Sequence, residues 1–320
     1  MLARPGYELH PMPVAAEIRN LDLSRIGAEE TREALYADWM QYGVLVFRDC
    51  PVTNAEHLAL SGVFGEPEMH PMPEIRSAEE PLMMELGGKK PGRAFVYDGD
   101  KLRVDRIAWH RDTAYTVEIC KGALLRVVER PPEAGNTDFC DTAMAYDALD
   151  QEMKDRIENL EFKATLTLNQ AEMRLGATWK SIRPATPEEA PGSKFNVALD
   201  VISRYPSVVH PLVITHPESG RKCIYISPIY LDEILGMDPK ESWDLLTWIS
   251  EYTVQPRFCY RHTWRENDLV LWDNRRMMHS ATGYDPKYRR RALRTTLAGS
   301  LKSGRLFDPN AVEVKAALVD

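Results

Sequence analysis

Residues 109–115 read WHRDTAY, and this stretch places an imidazole and a carboxylate two positions apart. In an extended strand, side chains two positions apart point to the same face. His110 and Asp112 would therefore lie together, about 7 Å apart along the backbone. The residues before them, 106–109, are strand-like and lead into a buried wall. The stretch predicts two of the three ligands of a facial metal site, which needs a second imidazole from elsewhere in the chain.

A second His-x-carboxylate pair shows how weak this spacing is alone. His216 and Glu218 lie in THPESGRK, residues 215–222, where Pro, Ser and Gly separate two apolar runs. Such a tract is typical of a hairpin turn. A chain of this length with eight histidines can contain His-x-acid by chance. We therefore predict that His216 is a turn residue, and we require a third ligand in a strand-like context.

The predicted third ligand is His279. It follows the apolar strand DLVLW, residues 268–272, and a short polar step, which is where a side chain can project into the mouth of a barrel. Arg290 comes eleven residues later and Arg294 four beyond that, both among apolar residues. Such a pair suits a carboxylate, because the guanidinium fork binds it through two hydrogen bonds. The alternative is that RRR, residues 289–291, forms a solvated basic turn.

Composition limits the other possibilities. The 320 residues are 44% hydrophobic with no shift in composition, so we predict one domain over residues 1–320 with a large core. The net charge of −8 argues against nucleic acid as a partner. No apolar leader and no run of about 18 apolar residues is present, so no membrane partner is expected. The five cysteines are scattered without a CxxC, which favours reduced thiols and a cytoplasmic location.

Periodicity and caps predict a scaffold of helices and strands. The N-terminal part should form a helix over 29–42 that Gly43 ends, a strand over 43–47, and a second helix that Thr53 caps and Gly65 ends. Strands are expected near 122–132, 135–141, 161–167, 222–226, 257–262 and 269–272, with helices over 141–149, around 153–160 and after Asp238. Two tracts, 66–103 and 168–206, have no clear periodicity and are predicted to be irregular lids.

These motifs together resemble the Fe(II)/2-oxoglutarate-dependent dioxygenases of the taurine and chlorophenoxyacetate type. The resemblance is carried by FGE at 64–66, WHRD at 109–112, GNT, FCD and AYDAL within 135–149, THPESGRK at 215–222, and WDNR at 272–275. YRHTW and DLVLWDNR are more similar to the chlorophenoxyacetate branch. The fold that this resemblance implies is mainly β with flanking helices (α+β) around a double-stranded β-helix, a cupin-like jelly roll.

The resemblance also implies a role for each matching residue. Iron ligands are implied at His110, Asp112 and His279, a grip on the distal carboxylate of 2-oxoglutarate at Arg290 and Thr137, and contacts to the prime substrate at Arg294 and His70. Asn136 departs from the family pattern, which has a small residue there. This departure makes the placement of Thr137 a point for the structure to test.

The implied activity is hydroxylation of a small to medium anionic molecule with Fe(II), 2-oxoglutarate and O2, giving succinate and CO2. An aryloxyalkanoate-like carboxylate is favoured, with C–O cleavage after hydroxylation beside an ether oxygen. Asp112 favours hydroxylation, because related halogenases lack this carboxylate. The alternatives are an alkylsulfonate or taurine-type dioxygenase, a tailoring hydroxylase of a natural product, and a non-enzymatic module that binds 2-oxoglutarate or metal. The resemblance also implies a homodimer or homotetramer.

Overall fold

The α-helices fall into three groups along the described chain, two near the start, two in the middle and one after residue 238. The computed structural model describes residues 1–70, 73–87, 94–167, 182–191, 204–299 and 301–312. In these ranges the α-helices are α1 (Glu29–Tyr42), α2 (Asn54–Phe64), α3 (Thr142–Asp147), α4 (Gln151–Ile157) and α5 (Pro239–Thr253). None of them is long and apolar enough to cross a membrane.

Strands make up most of the remaining regular structure. In chain order they are β1 (Leu2–Arg4), β2 (Tyr7–Pro11), β3 (Ala16–Arg19), β4 (Val44–Phe47), β5 (Pro67–Glu68), β6 (Met83–Gly87), β7 (Ala94–Tyr97), β8 (Lys101–His110), β9 (Glu118–Ile119), β10 (Gly122–Glu129), β11 (Thr137–Asp141), β12 (Glu161–Ala164), β13 (Ile182–Pro184), β14 (Val208–Pro211), β15 (Val213–Thr215), β16 (Lys222–Ile224), β17 (Leu231–Ile234), β18 (Cys259–His262), β19 (Leu269–Asp273), β20 (Met277–Tyr284), β21 (Arg291–Leu297), β22 (Leu301–Lys302) and β23 (Arg305–Leu306).

Two large sheets form the centre of the fold. Among the described residues, the first runs β1-β2-β3-β4-β19-β10-β21-β5 with β6 also on β21, and the second runs β13-β7-β8-β20-β11-β18. One apolar cluster joins them, with Trp272 from the first sheet 5.7 Å from Phe139 of the second between ring centroids. Two sheets packed face to face in this way form a double-stranded β-helix, which confirms the predicted jelly roll.

Alternation along β4 shows how the layers are built. All four residues of VLVF are buried, since both faces of the strand are covered. Val44 and Val46 pack between the two sheets, whereas Leu45 and Phe47 pack against α1 and α2 on the outer side. Helices α3 and α5 join a third cluster with the small sheet β17-β12-β14-β23. The first sheet therefore lies between helices α1 and α2 on one side and the second sheet on the other.

The predicted scaffold agrees with the structure, with one correction. Helices α1 and α2 have the predicted bounds, and Thr53 and Glu56 form a reciprocal capping box at the start of α2. Neither tract predicted to be irregular is wholly so, however, because 66–103 contains β5, β6 and β7, and 168–206 contains β13, which pairs with β7. Strand β6 pairs with β21, so that Met84 lies opposite Arg294. Strands this short have too few residues to show alternation, and distant partners determine their register.

The structure describes only parts of the two predicted lids. Residues 71–72, 88–93, 168–181 and 192–203 lie outside the described ranges. The role of both tracts as lids, and the extent of a single domain over 1–320, stay predictions.

Replacing Asp238 by Ala should lower the free energy of unfolding by about 1 kcal/mol, because the N-cap is lost. The Asp238 carboxylate accepts hydrogen bonds from the backbone N–H groups of Lys240 and Glu241, at 2.9 and 3.2 Å. Urea denaturation measures the change. Asp244→Ala, which removes the exposed partner of Lys240 in the same helix, is the control and should lower the free energy of unfolding less. Equal losses in both variants would contradict the cap.

Candidate metal centre and active site

Strand pairing brings the two predicted histidine ligands together. In the antiparallel pair of β8 and β20, His110 lies directly opposite His279, and their ring centroids are 4.1 Å apart. Directly opposed residues project to the same face of a sheet. Their chain neighbours Trp109 and Ser280 line a groove on the other face. The ladder register shifts just after His279, as at a bulge that redirects a side chain.

Asp112 reaches the same place by a different route from the one predicted. Strand β8 ends at His110, so alternation along a strand does not align the two side chains. Asp112 lies in a turn, followed by Thr113 at a positive φ of 53°. The side chain of Asn274 accepts from the Asp112 N–H and donates to its carbonyl, both at 2.9 Å. The carboxylate is thus placed by a turn that a distant side chain holds.

The three donor groups fit a metal ion. One ligand atom from each of His110, Asp112 and His279 lies within 4.8 Å of the others, and all three residues are buried. Nε2 of His110 is 3.9 Å and Nε2 of His279 is 3.7 Å from the carboxylate oxygens of Asp112. Nδ1 of His110 is 2.7 Å from the carbonyl of Ala108, so it donates there and leaves the Nε2 lone pair facing the site. Two imidazoles and one carboxylate are the donors of a facial iron site.

Burial and neighbouring charges keep the ligands in their binding protonation states. Burial lowers the pKa of both His110 and His279. Arg294 lowers both pKa values further, and His110 also lowers the pKa of His279. Burial alone would raise the pKa of Asp112, but Arg294 and the two imidazoles lower it overall. Neutral imidazoles and an ionised carboxylate are the forms that bind a metal ion.

Arg294 is the cation nearest the acid ligand. Its Nη1 donates to Oδ1 of Asp112 at 2.9 Å, and its Nη2 lies 2.8 Å from Oδ2 without hydrogen-bond geometry. Its guanidinium also lies 5.3 Å from the centre of the Trp272 ring. The buried Nε of Arg294 has no partner among the described residues. Arg294 therefore borders the metal centre and keeps a donor available.

Arg290 is buried without an acidic partner. Its neighbours in the RRR sequence have partners at the surface, since Arg289 lies 3.7 Å from Glu129 and Arg291 pairs with Glu85 at 3.0 Å. The described residues provide no hydrogen bond or salt bridge to Arg290, which is 9% exposed. The alternative of a solvated basic turn is thus wrong for the middle arginine. Burial lowers the pKa of Arg290, and the charges of Tyr284 and Asp105 oppose this without a hydrogen bond or salt bridge to it, so the guanidinium is a candidate for binding an anion.

Thr137 begins β11, two residues after Gly135, which lies beside this arginine. A Cβ built at Gly135 would meet Arg290 Cδ at 3.6 Å, and Gly135 has a φ of +65°, which suits glycine. Thr137 lies two residues further on, and its hydroxyl accepts from Trp264 Nε1 at 3.1 Å. Despite Asn136, the GNT segment therefore passes beside Arg290.

The other two candidate histidines, His70 and His216, lie outside the ligand group formed by the described residues. His70 follows β5 and is buried, and its carbonyl accepts from Arg76 Nε at 2.7 Å. His216 lies in the predicted turn between β15 and β16. Its Nε2 is 2.8 Å from Oδ2 of Asp273, which Arg275 also binds. His216 is therefore a structural residue of that turn, and the substrate contact of His70 stays a prediction.

Sequence reasoning missed two residues that organise the site. They are Asn274, in the polar step before His279, and Arg111, between the two residues His110 and Asp112. Both are fully buried. One signal is available in the sequence: each is a polar or charged residue directly beside an apolar strand that is predicted to be buried. A buried polar group requires hydrogen-bond partners, so such a residue is a candidate for holding neighbouring segments together.

A double-stranded β-helix with two imidazoles and a carboxylate on one buried face defines the class of non-haem iron oxygenases. The profile of the family described as "Taurine catabolism dioxygenase TauD, TfdA family" matches residues 6–296. The chain belongs to this family, and it is an iron- and 2-oxoglutarate-dependent dioxygenase.

Individual relatives agree with this assignment. The chain is 30% identical over 305 residues to the (S)-phenoxypropionate/alpha-ketoglutarate-dioxygenase of Sphingobium herbicidovorans, covering 92% of this chain and 96% of the relative. A crystal structure of a taurine dioxygenase from Burkholderia xenovorans has a TM-score of 0.70 and 26% identity, covering 93% and 91% of the two chains. A structure of AAD-2 with Mn(II) and N-oxalylglycine has a TM-score of 0.70 and 25% identity, covering 93% and 99%.

The variant His216→Asn should remain able to bind Mn(II) but lose about 1–3 kcal/mol of stability, because the buried carboxylate of Asp273 loses one partner. Urea denaturation measures the stability, and electron paramagnetic resonance of free Mn(II) measures binding. His279→Ala is the matched control and should lose Mn(II) binding. Loss of binding in a folded His216→Asn variant would place His216 in the metal centre.

Proposed function

We propose that this dioxygenase hydroxylates a small to medium anionic organic molecule, with an aryloxyalkanoate-like carboxylate favoured. The observation that carries the proposal is the pair of buried arginines around the ligand group, Arg290 without an acidic partner and Arg294 with an open Nε donor. Two such cations are suited to two anions, a dicarboxylate cosubstrate and an anionic substrate.

His110, Asp112 and His279 would hold the iron. These residues would supply only three protein donors, which suits an ion that must also serve a cosubstrate and O2. When bound, Fe(II) supplies the oxygen chemistry that couples decarboxylation of 2-oxoglutarate to oxidation of a C–H bond. The contribution of the chain is to bind the ion in a buried site and to keep both imidazoles neutral.

Arg290 and Thr137 would bind the distal carboxylate of 2-oxoglutarate. The guanidinium can form two parallel hydrogen bonds to a carboxylate, and the Thr137 hydroxyl can donate a third while it accepts from Trp264. N-oxalylglycine, bound in the AAD-2 structure, is also a dicarboxylate.

Arg294 would bind the anionic group of the substrate through the donors that Asp112 does not use, and His70 would contact the substrate from the segment after β5. This arrangement would hold the anionic end next to the iron and so select the C–H bonds close to it. Hydroxylation of a carbon that bears an ether oxygen gives an unstable hemiacetal, whose collapse cleaves the C–O bond. The favoured substrate class rests on the phenoxypropionate relative.

Two other substrate classes remain as alternatives. The taurine dioxygenase structure favours an alkylsulfonate, which Arg294 would bind equally well as an anion. The other is a natural-product intermediate with a carboxylate. A non-enzymatic module that binds 2-oxoglutarate would also explain Arg290, but the relatives of this chain are dioxygenases, which counts against it.

We also propose a cytoplasmic homodimer or homotetramer. The five cysteines are free and four of them are buried, which suits a reducing compartment. Helix α5 exposes 42% of Trp248, which stacks on Tyr252 with ring centroids 5.0 Å apart, and such aromatic surfaces are enriched at interfaces. Sedimentation of the protein and of Trp248→Ala tests the assembly, and a monomeric wild type would refute it.

Succinate release under Fe(II), ascorbate and O2 is the test of substrate class. The panel should contain aryloxyalkanoates, alkylsulfonates, sulfate esters and an uncharged aryl ether of the same size. We expect the most succinate with the aryloxyalkanoates and none above background with the uncharged ether. Preference for a sulfonate would select the alternative. Substrate-independent succinate alone, from a protein with iron bound, would count against all of these anions.

Asp112→Ala should abolish both metal retention and turnover, because only the two imidazoles would remain to hold the ion. Iron content after desalting and succinate release measure the two effects. Asp138→Ala is the control, since Asp138 pairs with Arg261 on the other side of the second sheet. Full activity in the Asp112 variant would refute the ligand assignment.

Arg290→Met should raise the KM for 2-oxoglutarate at least about 30-fold, since loss of one partner of a buried charge pair costs about 2 kcal/mol or more. Initial rates against 2-oxoglutarate concentration give the KM. Arg289→Met removes the adjacent, exposed arginine and should leave this KM unchanged. Equal KM values in the two variants would show that Arg290 does not bind the cosubstrate.

A further inference from the structure

Arg111 is a buried cation in an unusual setting. It lies between the two residues His110 and Asp112, its side chain is 0% exposed, and it forms no salt bridge with any described residue. Burial of a charge is unfavourable unless hydrogen bonds or an opposite charge compensate for it. The compensation for Arg111 must therefore come from dipoles.

Five acceptors lie within 3.2 Å of the guanidinium nitrogens, and the carbonyl of Arg276 lies 3.5 Å from Nη2. Nε donates to the carbonyl of Ile226, Nη1 to the carbonyls of Asn274 and Met277, and Nη2 to the hydroxyl of Thr142 and the carbonyl of Ile224, at 2.7–3.2 Å. The ring of Tyr225 lies 5.0 Å from the guanidinium carbon. Arg111 is thus fully satisfied by backbone carbonyls, one hydroxyl and one aromatic face.

These acceptors belong to segments that determine where the ligands lie. Asn274, in the turn between β19 and β20, and Met277, the first residue of β20, each supply a carbonyl. Strand β20 carries His279. The side chain of Asn274 holds the backbone of Asp112 on both sides. Arg111 therefore connects the chain segment of His110 and Asp112 directly to the start of the segment of His279.

We propose that Arg111 is a positioning residue for the metal centre, which holds the His110–Asp112 segment and the His279 strand at the separation that lets three ligands meet on one ion. This inference rests on the proposed ligand roles of those three residues. Arg111 does not touch the ion or the substrate. It acts by fixing the turn at 274–277 against the turn at 111–113.

The shape of the guanidinium is essential to this role. Its five donors lie in one plane and reach acceptors on both sides, whereas a lysine ammonium has three donors around one point. Lysine would keep the charge but leave several of the carbonyls without a donor. The proposal therefore predicts that Arg111→Lys weakens metal binding as Arg111→Met does.

The experiment measures the Mn(II) dissociation constant of the full chain by electron paramagnetic resonance, together with the visible absorption bands of bound Co(II), which depend on ligand geometry. Arg111→Met and Arg111→Lys should each weaken Mn(II) binding about 10- to 100-fold, as residues that orient metal ligands do, and should shift the Co(II) bands. Wild-type affinity and spectra in either folded variant would overturn the proposal.

Arg48→Met is the matched control for loss of a buried cation. Arg48 pairs with Glu17 and Asp268 beyond the start of β19, whereas Asn274 follows the other end of that strand. Its removal should lower stability but leave Mn(II) affinity and the Co(II) spectrum unchanged. An equal loss of affinity in Arg48→Met would show that the effect reflects general destabilisation and would overturn the proposal.

Thr142→Val keeps the test decisive if the Arg111 variants do not fold. It removes one acceptor of Arg111 with little change of shape and should weaken Mn(II) binding about threefold, the lower range for one hydrogen bond. Unchanged affinity would overturn the proposal. A wild-type chain that does not bind Mn(II) would instead refute the proposed ligand roles, so the two failures are distinguishable.

Discussion

The pairing of β8 with β20 is the constraint on which the site depends. Its register puts His110 opposite His279 on the inner face, while their neighbours Trp109 and Ser280 face the outer groove. A shift of one residue in either strand would send an imidazole to the wrong side of the sheet, because side chains alternate with a period of two. The buried faces of both sheets oppose such a shift, since it would also expose the apolar residues that pack between them.

Three buried arginines near the metal centre differ in their hydrogen-bond partners, and this difference separates their roles. Arg111 is satisfied by carbonyls, Arg294 by the carboxylate of Asp112, and Arg290 by no hydrogen bond from the described residues. A guanidinium whose donors are all used, as in Arg111, holds the surrounding chain in place, whereas a buried guanidinium with donors left over, as in Arg290 and Arg294, favours binding of an anion from solution. The same residue type thus supports the scaffold in one place and recognition in another.

The sequence predicted the features that depend on local chemistry. The capped helices α1 and α2 and the strands around Trp272 follow from periodicity and capping residues. The ligand positions followed from spacing and resemblance. The turn that orients Asp112 and the pairing of β6 with β21 were not predictable, because both depend on contacts between residues more than a hundred positions apart. Local patterns carry no record of such contacts.

The two His-x-carboxylate pairs show why spacing alone cannot identify a metal ligand. The Nε2 of His216 faces a carboxylate, Asp273, that already binds Arg275, so the imidazole is committed to an internal hydrogen bond. The Nε2 of His110 lies 3.9 Å from the carboxylate of Asp112, too far for a direct hydrogen bond, and the ring centroid of His110 is 4.1 Å from that of the second imidazole. Donor atoms buried together at that separation are unfavourable unless an ion lies between them, because their lone pairs point at one another. The surroundings of the imidazole therefore distinguish a ligand from a structural histidine, and they are assembled by the fold.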